Sequence, residues 1–270
     1  MVGGSSPPEW GLEQMSGDLV SVRILAAFGS PADRDLLRQA AAMAPILIDV
    51  IEAENADAAR RSISAGDIDV VFIEGTAAST ELKSFLTAAK SAPRPPFVII
   101  VASAAWDASE FKTAGVTIDG VVAKPARIEQ AKVLIDRCIR LRLPSRCLVV
   151  DDSSTQRRIV RKLLTGIRFP LDVTEAEDGI DALKQLSGGK FDFVFLDYHM
   201  PGLNGLETLS EIKRLHPSVQ VVLMTSTEDE AVIKRAQTAG AAAFLRKPFY
   251  PADIDAVLQS IYGMRASARG

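Results

Sequence analysis

The chain has 270 residues, with 31 Lys and Arg against 34 Asp and Glu, two Cys and two His. That length suggests about two domains, 47% apolar and 24% charged residues exclude disordered and fibrous classes, and a net charge of −3 offers no footprint for polyanion binding. Cys138 and Cys147 make no disulfide framework and no Cys/His cluster suggests zinc, so both read as inert buried thiols. Apolar runs fall far below the ~18 residues of a membrane span, and the N-terminus has no signal-peptide pattern, so a cytoplasmic location is expected.

Residues 1–18, rich in Gly, Ser and Pro, read as a flexible tail. From Ser21 onward, short apolar runs alternate with amphipathic stretches. Strands are expected at 22–27, 46–51, 69–73, 97–102 and 118–123. A basic linker at 142–146 follows, with Pro144 ending the preceding helix. Further strands are expected at 147–150, 171–174, 191–196, 219–224 and 242–245, and helices at 155–165, 179–186, 205–215 and 228–239. Alternation of this kind implies an α/β chain of two tandem, doubly wound, five-stranded parallel-sheet domains. Their expected bounds are 19–141 and 147–264, with a tail at 265–270.

The halves are copies. Lys247 minus Lys124, Asp197 minus Glu74 and Cys147 minus Ile24 each give 123 positions. One constant offset at three separate strand ends indicates duplication.

In an open parallel sheet the reactive crevice lies at the carboxyl ends of the strands. The second half places Asp151-Asp152, Asp197, Thr225 and Lys247 there. Crowded carboxylates repel unless a cation joins them, and hard oxygen donors suit Mg²⁺. A lysine charge and a threonine hydroxyl beside them are the parts that hold a phosphoryl group in transfer, with Asp197 as nucleophile.

These residues resemble the receiver domains of two-component response regulators, over 146–262. The resemblance rests on Val149-Val150-Asp151-Asp152-Ser153-Ser154, Phe195-Leu196-Asp197-Tyr198-His199-Met200-Pro201-Gly202, Gly205, Met224-Thr225-Ser226 and Phe244-Leu245-Arg246-Lys247-Pro248-Phe249. It implies a flavodoxin-like receiver fold of the small chemotaxis type. It also implies that Asp197 accepts phosphate from a histidine kinase or histidine phosphotransfer protein. Asp152, Asp197 and the His199 carbonyl would ligate Mg²⁺, with Asp151 acting through water. Thr225 and Lys247 would hold the phosphoryl oxygens, Phe244 would be the switch aromatic, and His199 and Thr227 sit where hydrolysis rate is tuned. The kinase would meet the helix near 155–164, and the downstream partner the surface 228–262.

In the first half the same offset puts Phe28, Gly29, Glu74 and Ala102 in place of Asp151, Asp152, Asp197 and Thr225, and only Lys124 survives. This half therefore resembles a pseudo-receiver, expected to regulate or dimerise rather than to be phosphorylated, and to mask a surface of the second half. Arg137, Arg140, Arg142 and Arg146 are the candidate interdomain or ligand-binding cluster, for an acidic patch or an anion such as cyclic di-GMP. Trp106 is the other candidate partner contact. Only eight residues follow Tyr262. No DNA-binding output domain is expected, and signalling would run through an unknown downstream protein, with a homodimer left open. The alternatives are the receiver portion of a hybrid histidine kinase and an aspartate-dependent phosphohydrolase. The latter needs a general acid two residues after the nucleophile, where this chain has His199.

Overall fold

The computed structural model describes residues 21–75, 80–102, 118–227 and 229–264. The tails and Trp106 lie outside them.

The first domain comprises β1 (Ser21–Ala27), α1 (Pro31–Ala42), β2 (Leu47–Ala53), α2 (Ala56–Ala65), β3 (Val70–Glu74), α3 (Thr80–Lys90), β4 (Phe97–Ala102), β5 (Gly120–Ala123) and α4 (Ile128–Arg142). The second comprises β6 (Ser145–Val150), α5 (Ser154–Thr165), β7 (Leu171–Ala176), α6 (Gly179–Gly188), β8 (Phe193–Asp197), α7 (Gly205–Leu215), β9 (Gln220–Thr225), α8 (Glu230–Thr238), β10 (Ala243–Arg246) and α9 (Pro251–Ile261). The strands are all parallel, in the orders β2-β1-β3-β4-β5 and β7-β6-β8-β9-β10. Central strands such as β3 and β8 are buried on both faces, which is why they read as unbroken apolar runs.

Local chemistry sets the helix starts. Asn55 and Asp178, 123 positions apart, each accept a hydrogen bond from the backbone N–H three residues on, at 2.8 and 2.7 Å. Asn204 and Glu207 form a reciprocal capping box on α7. Prolines open α1 and α9, where no intrahelical N–H is needed.

One structural finding differs from the sequence expectations. The segment 142–146 is mostly not linker: α4 runs to Arg142 and β6 starts at Ser145, leaving Leu143 and Pro144 between them. The domains do not meet over the reactive crevice. They join at the amino ends of their strands, through one hydrophobic core that runs from Ile24, Phe72 and Ile135 to Cys147, Phe193 and Leu258.

At that junction Phe169, just before β7, lies between Phe97 of β4 and Tyr262 beyond α9, both at 5.4 Å between ring centroids. The Arg168 guanidinium pairs with buried Asp119, donates to the carbonyls of Pro95 and Pro96 at 3.2 and 2.9 Å, and stacks over the Phe97 ring. The Val121 N–H donates to the Met264 carbonyl at 2.7 Å, beside Gly120, where a Cβ would stand 2.9 Å from that of Met264. The strand carboxyl ends, and with them the crevice, lie at the far side of each sheet from this interface.

Candidate phosphoryl-transfer site

Asp151 follows β6, Asp197 ends β8, Thr225 ends β9 and Lys247 follows β10, so the fold gathers four strand ends into one crevice. Asp151 and Asp197 are buried, while Asp152 is exposed. Carboxylate oxygens of the three lie within 4.8 Å of one another. The Lys247 ammonium donates to Asp151 at 2.9 Å and to Asp197 at 3.0 Å.

Burial raises the Asp197 carboxyl above its ordinary range; the Lys247 hydrogen bond and charge oppose that rise without cancelling it. Burial works against the Lys247 charge, but hydrogen bonds to Asp151 and Asp197 outweigh it and raise the ammonium. The acidic loop is braced from behind: the Arg157 guanidinium donates to the Asp151 carbonyl at 2.7 Å and pairs with Glu175 at 3.3 Å. The Ser153 N–H donates to the Asp151 carboxylate at 2.9 Å. Three clustered hard-oxygen donors fit a divalent ion such as Mg²⁺, with the exposed Asp152 open to solvent.

Thr225 is buried and its hydroxyl accepts a hydrogen bond from the Thr227 N–H at 3.0 Å. His199 is exposed, its ring edge-on to Tyr198 at 4.7 Å, and its backbone N–H donates to the Asp197 carboxylate. Phe244 is half-buried on β10 and packs against the core cluster that includes Leu196 and Leu223.

The equivalent crevice in the first domain keeps the frame without the acidic pair. Arg34 donates to the Phe28 carbonyl at 2.5 Å and pairs with Glu52 at 3.1 Å, as Arg157 does 123 positions later. Phe28 is fully buried, Gly29 is exposed, and Ala102, buried, carries no hydroxyl. Lys124 is held between Glu74 at 2.8 Å and Asp33 at 2.6 Å. Those hydrogen bonds, Asp33 first and Glu74 second, raise its ammonium. Asp33, in the first turn of α1, thus supplies the second carboxylate that Asp151 supplies in the other domain. Sequence reasoning missed it because position 156, its equivalent by offset, is Gln.

The four arginines read as one cluster do not form an open basic patch. Arg137 donates to the Gly263 carbonyl at 2.8 Å, Arg142 pairs with Asp69 at 3.0 Å, and Arg146 lies over the Phe191 ring. Arg140 is exposed near the end of α4. Arg137 thus reaches across the domains, and Arg168 carries the main ionic contact between them.

The response regulator receiver domain profile matches residues 147–259. Chemotaxis protein CheY-3 of Vibrio cholerae is 38% identical over 118 residues, which cover 43% of this chain and 89% of that protein. The chain belongs to the response regulator receiver family. As a receiver it is a component of two-component signalling, with the receiver fold present twice. Cyclic di-GMP phosphodiesterase response regulator RpfG of Xanthomonas campestris is 31% identical over 147 residues, 54% of this chain; the receiver chain spans 39% of that relative's length. A solved structure of a two-component response regulator/GGDEF domain protein covers 89% of this chain and 99% of its own, at 22% identity and a TM-score of 0.47. Among the described residues no helix is long and apolar enough to cross a membrane.

Proposed function

We propose that the second domain is the working receiver and that Asp197 is its phosphoacceptor. The observation that carries this reading is the buried Asp197 carboxylate, hydrogen-bonded to Lys247 and beside Asp151 and Asp152. A carboxylate oxygen of Asp197 attacks the phosphorus of a phosphohistidine. The P–N bond breaks with its electrons passing to the imidazole nitrogen, and an aspartyl phosphate forms. Asp151, Asp152 and Asp197 would hold Mg²⁺, with the His199 carbonyl. That ion supplies charge neutralisation for the phosphoryl oxygens. The Lys247 ammonium is fixed where one phosphoryl oxygen develops charge, and the Thr225 hydroxyl donates to another. Burial of Asp197 limits water around the acyl phosphate, while exposed His199 and Thr227 at the rim set its lifetime. Phe244 repacks once Thr225 moves.

The phosphate donor is a histidine kinase or phosphotransfer protein, and the switched surface binds a downstream protein. Beyond self-phosphorylation and hydrolysis at Asp197 no catalysis is assigned to this chain. The first domain is not phosphorylated, because Glu74 and Asp33 already neutralise Lys124 and Phe28 replaces a metal ligand.

Incubation with acetyl phosphate and Mg²⁺, followed by intact mass, tests this reading. One phosphoryl group is expected on the wild type and on Glu74→Ala, and none on Asp197→Ala. Labelling that persists in Asp197→Ala, or repeated turnover of a generic phosphate ester, would overturn it.

A further inference from the structure

The first domain has no reactive crevice, yet its base grips the second domain at four points that converge on one helix. Arg168 is fixed by Asp119 and by the Pro95 and Pro96 carbonyls, while its own backbone N–H donates to Asp255 of α9. Phe169, clasped by Phe97, stacks on Tyr262, which caps α9 and shares a hydrogen bond of 2.9 Å with Ser145. Arg137 and Val121 of the first domain hold the Gly263 and Met264 carbonyls, immediately beyond the helix. At its other end α9 starts at Pro251, four residues after Lys247, whose ammonium joins Asp151 and Asp197.

An 11-residue helix spans roughly 16 Å at ~1.5 Å per residue, so α9 reaches from the domain junction towards the crevice. Pinning one end of so short a helix restricts the other, because the well-packed Ile254 and Leu258 between them allow little bending.

We propose that the first domain functions as a brace on α9: by holding the C-terminal end of that helix it fixes the Lys247–Phe249 segment at the opposite end, and so sets the receiver's affinity for a phosphoryl group. This rests on the phosphoacceptor reading above for its functional half alone. The degenerate half thereby gains a role that requires no ligand and no covering of the crevice.

Two full-length variants test it, neither touching the crevice. Arg168→Ala removes the ionic anchor, and Gly120→Ala sets a methyl group against Met264 from the first domain. Amide hydrogen exchange over residues 251–264 and calorimetric titration with beryllofluoride at saturating Mg²⁺ are measured for each, with Mg²⁺ binding alone as the control. The expected result is α9 exchange faster by about tenfold, with beryllofluoride affinity lowered at least about threefold and Mg²⁺ affinity unchanged. Wild-type α9 exchange in both variants overturns the brace, as does faster exchange with unaltered beryllofluoride affinity. A wild-type protein that binds no beryllofluoride overturns the phosphoacceptor reading, while faster α9 exchange in the variants still supports mechanical bracing.

Discussion

Gly205→Ala is the most local perturbation of the proposed phosphoacceptor. Gly205 opens α7 directly beneath the β8 end, and its N–H donates to the Tyr198 carbonyl at 3.1 Å. An alanine Cβ there would stand 2.6 Å from Tyr198 Cα and 3.1 Å from the Asp197 carbonyl carbon. Carbon atoms in good contact sit about 3.5–4.0 Å apart, so helix and strand end must separate by about 1 Å. Neither side yields easily. Asp197 ends a strand paired on both sides, and α7 is anchored by the Asn204–Glu207 box. Overpacking of this kind costs about 1–3 kcal/mol, which lowers a urea midpoint by about 1 M at an m-value of about 1–3 kcal/mol per M. Displacement of Asp197 should also weaken Mg²⁺ binding. Urea unfolding followed by circular dichroism, with Mg²⁺ titration by calorimetry, reads both effects. Gly188→Ala is the control: nothing lies within 4 Å of its Cβ position, and a helical Gly→Ala change there is neutral or stabilising by up to about 1 kcal/mol. A Gly205→Ala protein with the wild-type midpoint and Mg²⁺ affinity would refute the argument from close approach.

Lys247→Ala leaves Asp151 and Asp197 without their shared cation, so the variant should be less stable than wild type without Mg²⁺ and recover more melting temperature on its addition. An Mg²⁺-induced shift no larger than wild type would count against it. Lys124→Ala in the first domain should change stability by only about 0–1 kcal/mol, because that ion pair is about one-third exposed, and should leave the Mg²⁺ response untouched. Asp255 carries a pH prediction. Burial raises its carboxyl, the Arg168 N–H and charge lower it in part, Asp119 raises it again, and one of its oxygens is buried without a hydrogen-bond partner. With a folded value above the unfolded one, its contribution is favourable at low pH and is lost as pH rises through the folded value. Asp255→Asn should therefore melt at or above wild type at neutral pH, with the difference vanishing below about pH 4; a gap independent of pH would contradict this.

Most of the fold was legible because parallel strands buried on both faces leave apolar runs that no other element here imitates. Expected strands stopped one residue early at Glu74, Asp197, Thr225 and Arg246, since the apolar signal ends where the polar rim begins. The same fact made the site visible, since Asp151, Asp197 and Thr225 are each the first polar group after such a run, and Asp152 and Lys247 follow one residue later. The junction was not legible. Arg168 and Phe169 sit in a short loop with no periodicity, and Asp119 precedes a four-residue strand. Their meaning comes from contacts between halves that no local pattern encodes. The linker arginines drew attention by clustering in sequence, whereas their partners Asp69, Gly263 and Phe191 scatter them in space. The paired Arg34–Glu52 and Arg157–Glu175 bridges were readable in principle, lying at the same offset of 123 as the strand ends.

Phe28 bears on the history of the duplication. Its ring now fills the interior where the copy keeps Asp151, among the largest fully buried side chains of the chain. Truncating such a ring costs about 3–5 kcal/mol, and an aspartate put there would also bury a charge with Glu74 and Asp33 already claiming the lysine. Restoring the acid at position 28 would thus pass through an intermediate near the stability limit of an ordinary domain. The exchange of acid for aromatic acts as a ratchet: once the core closed over that position, selection could refine the first domain only as a folded body.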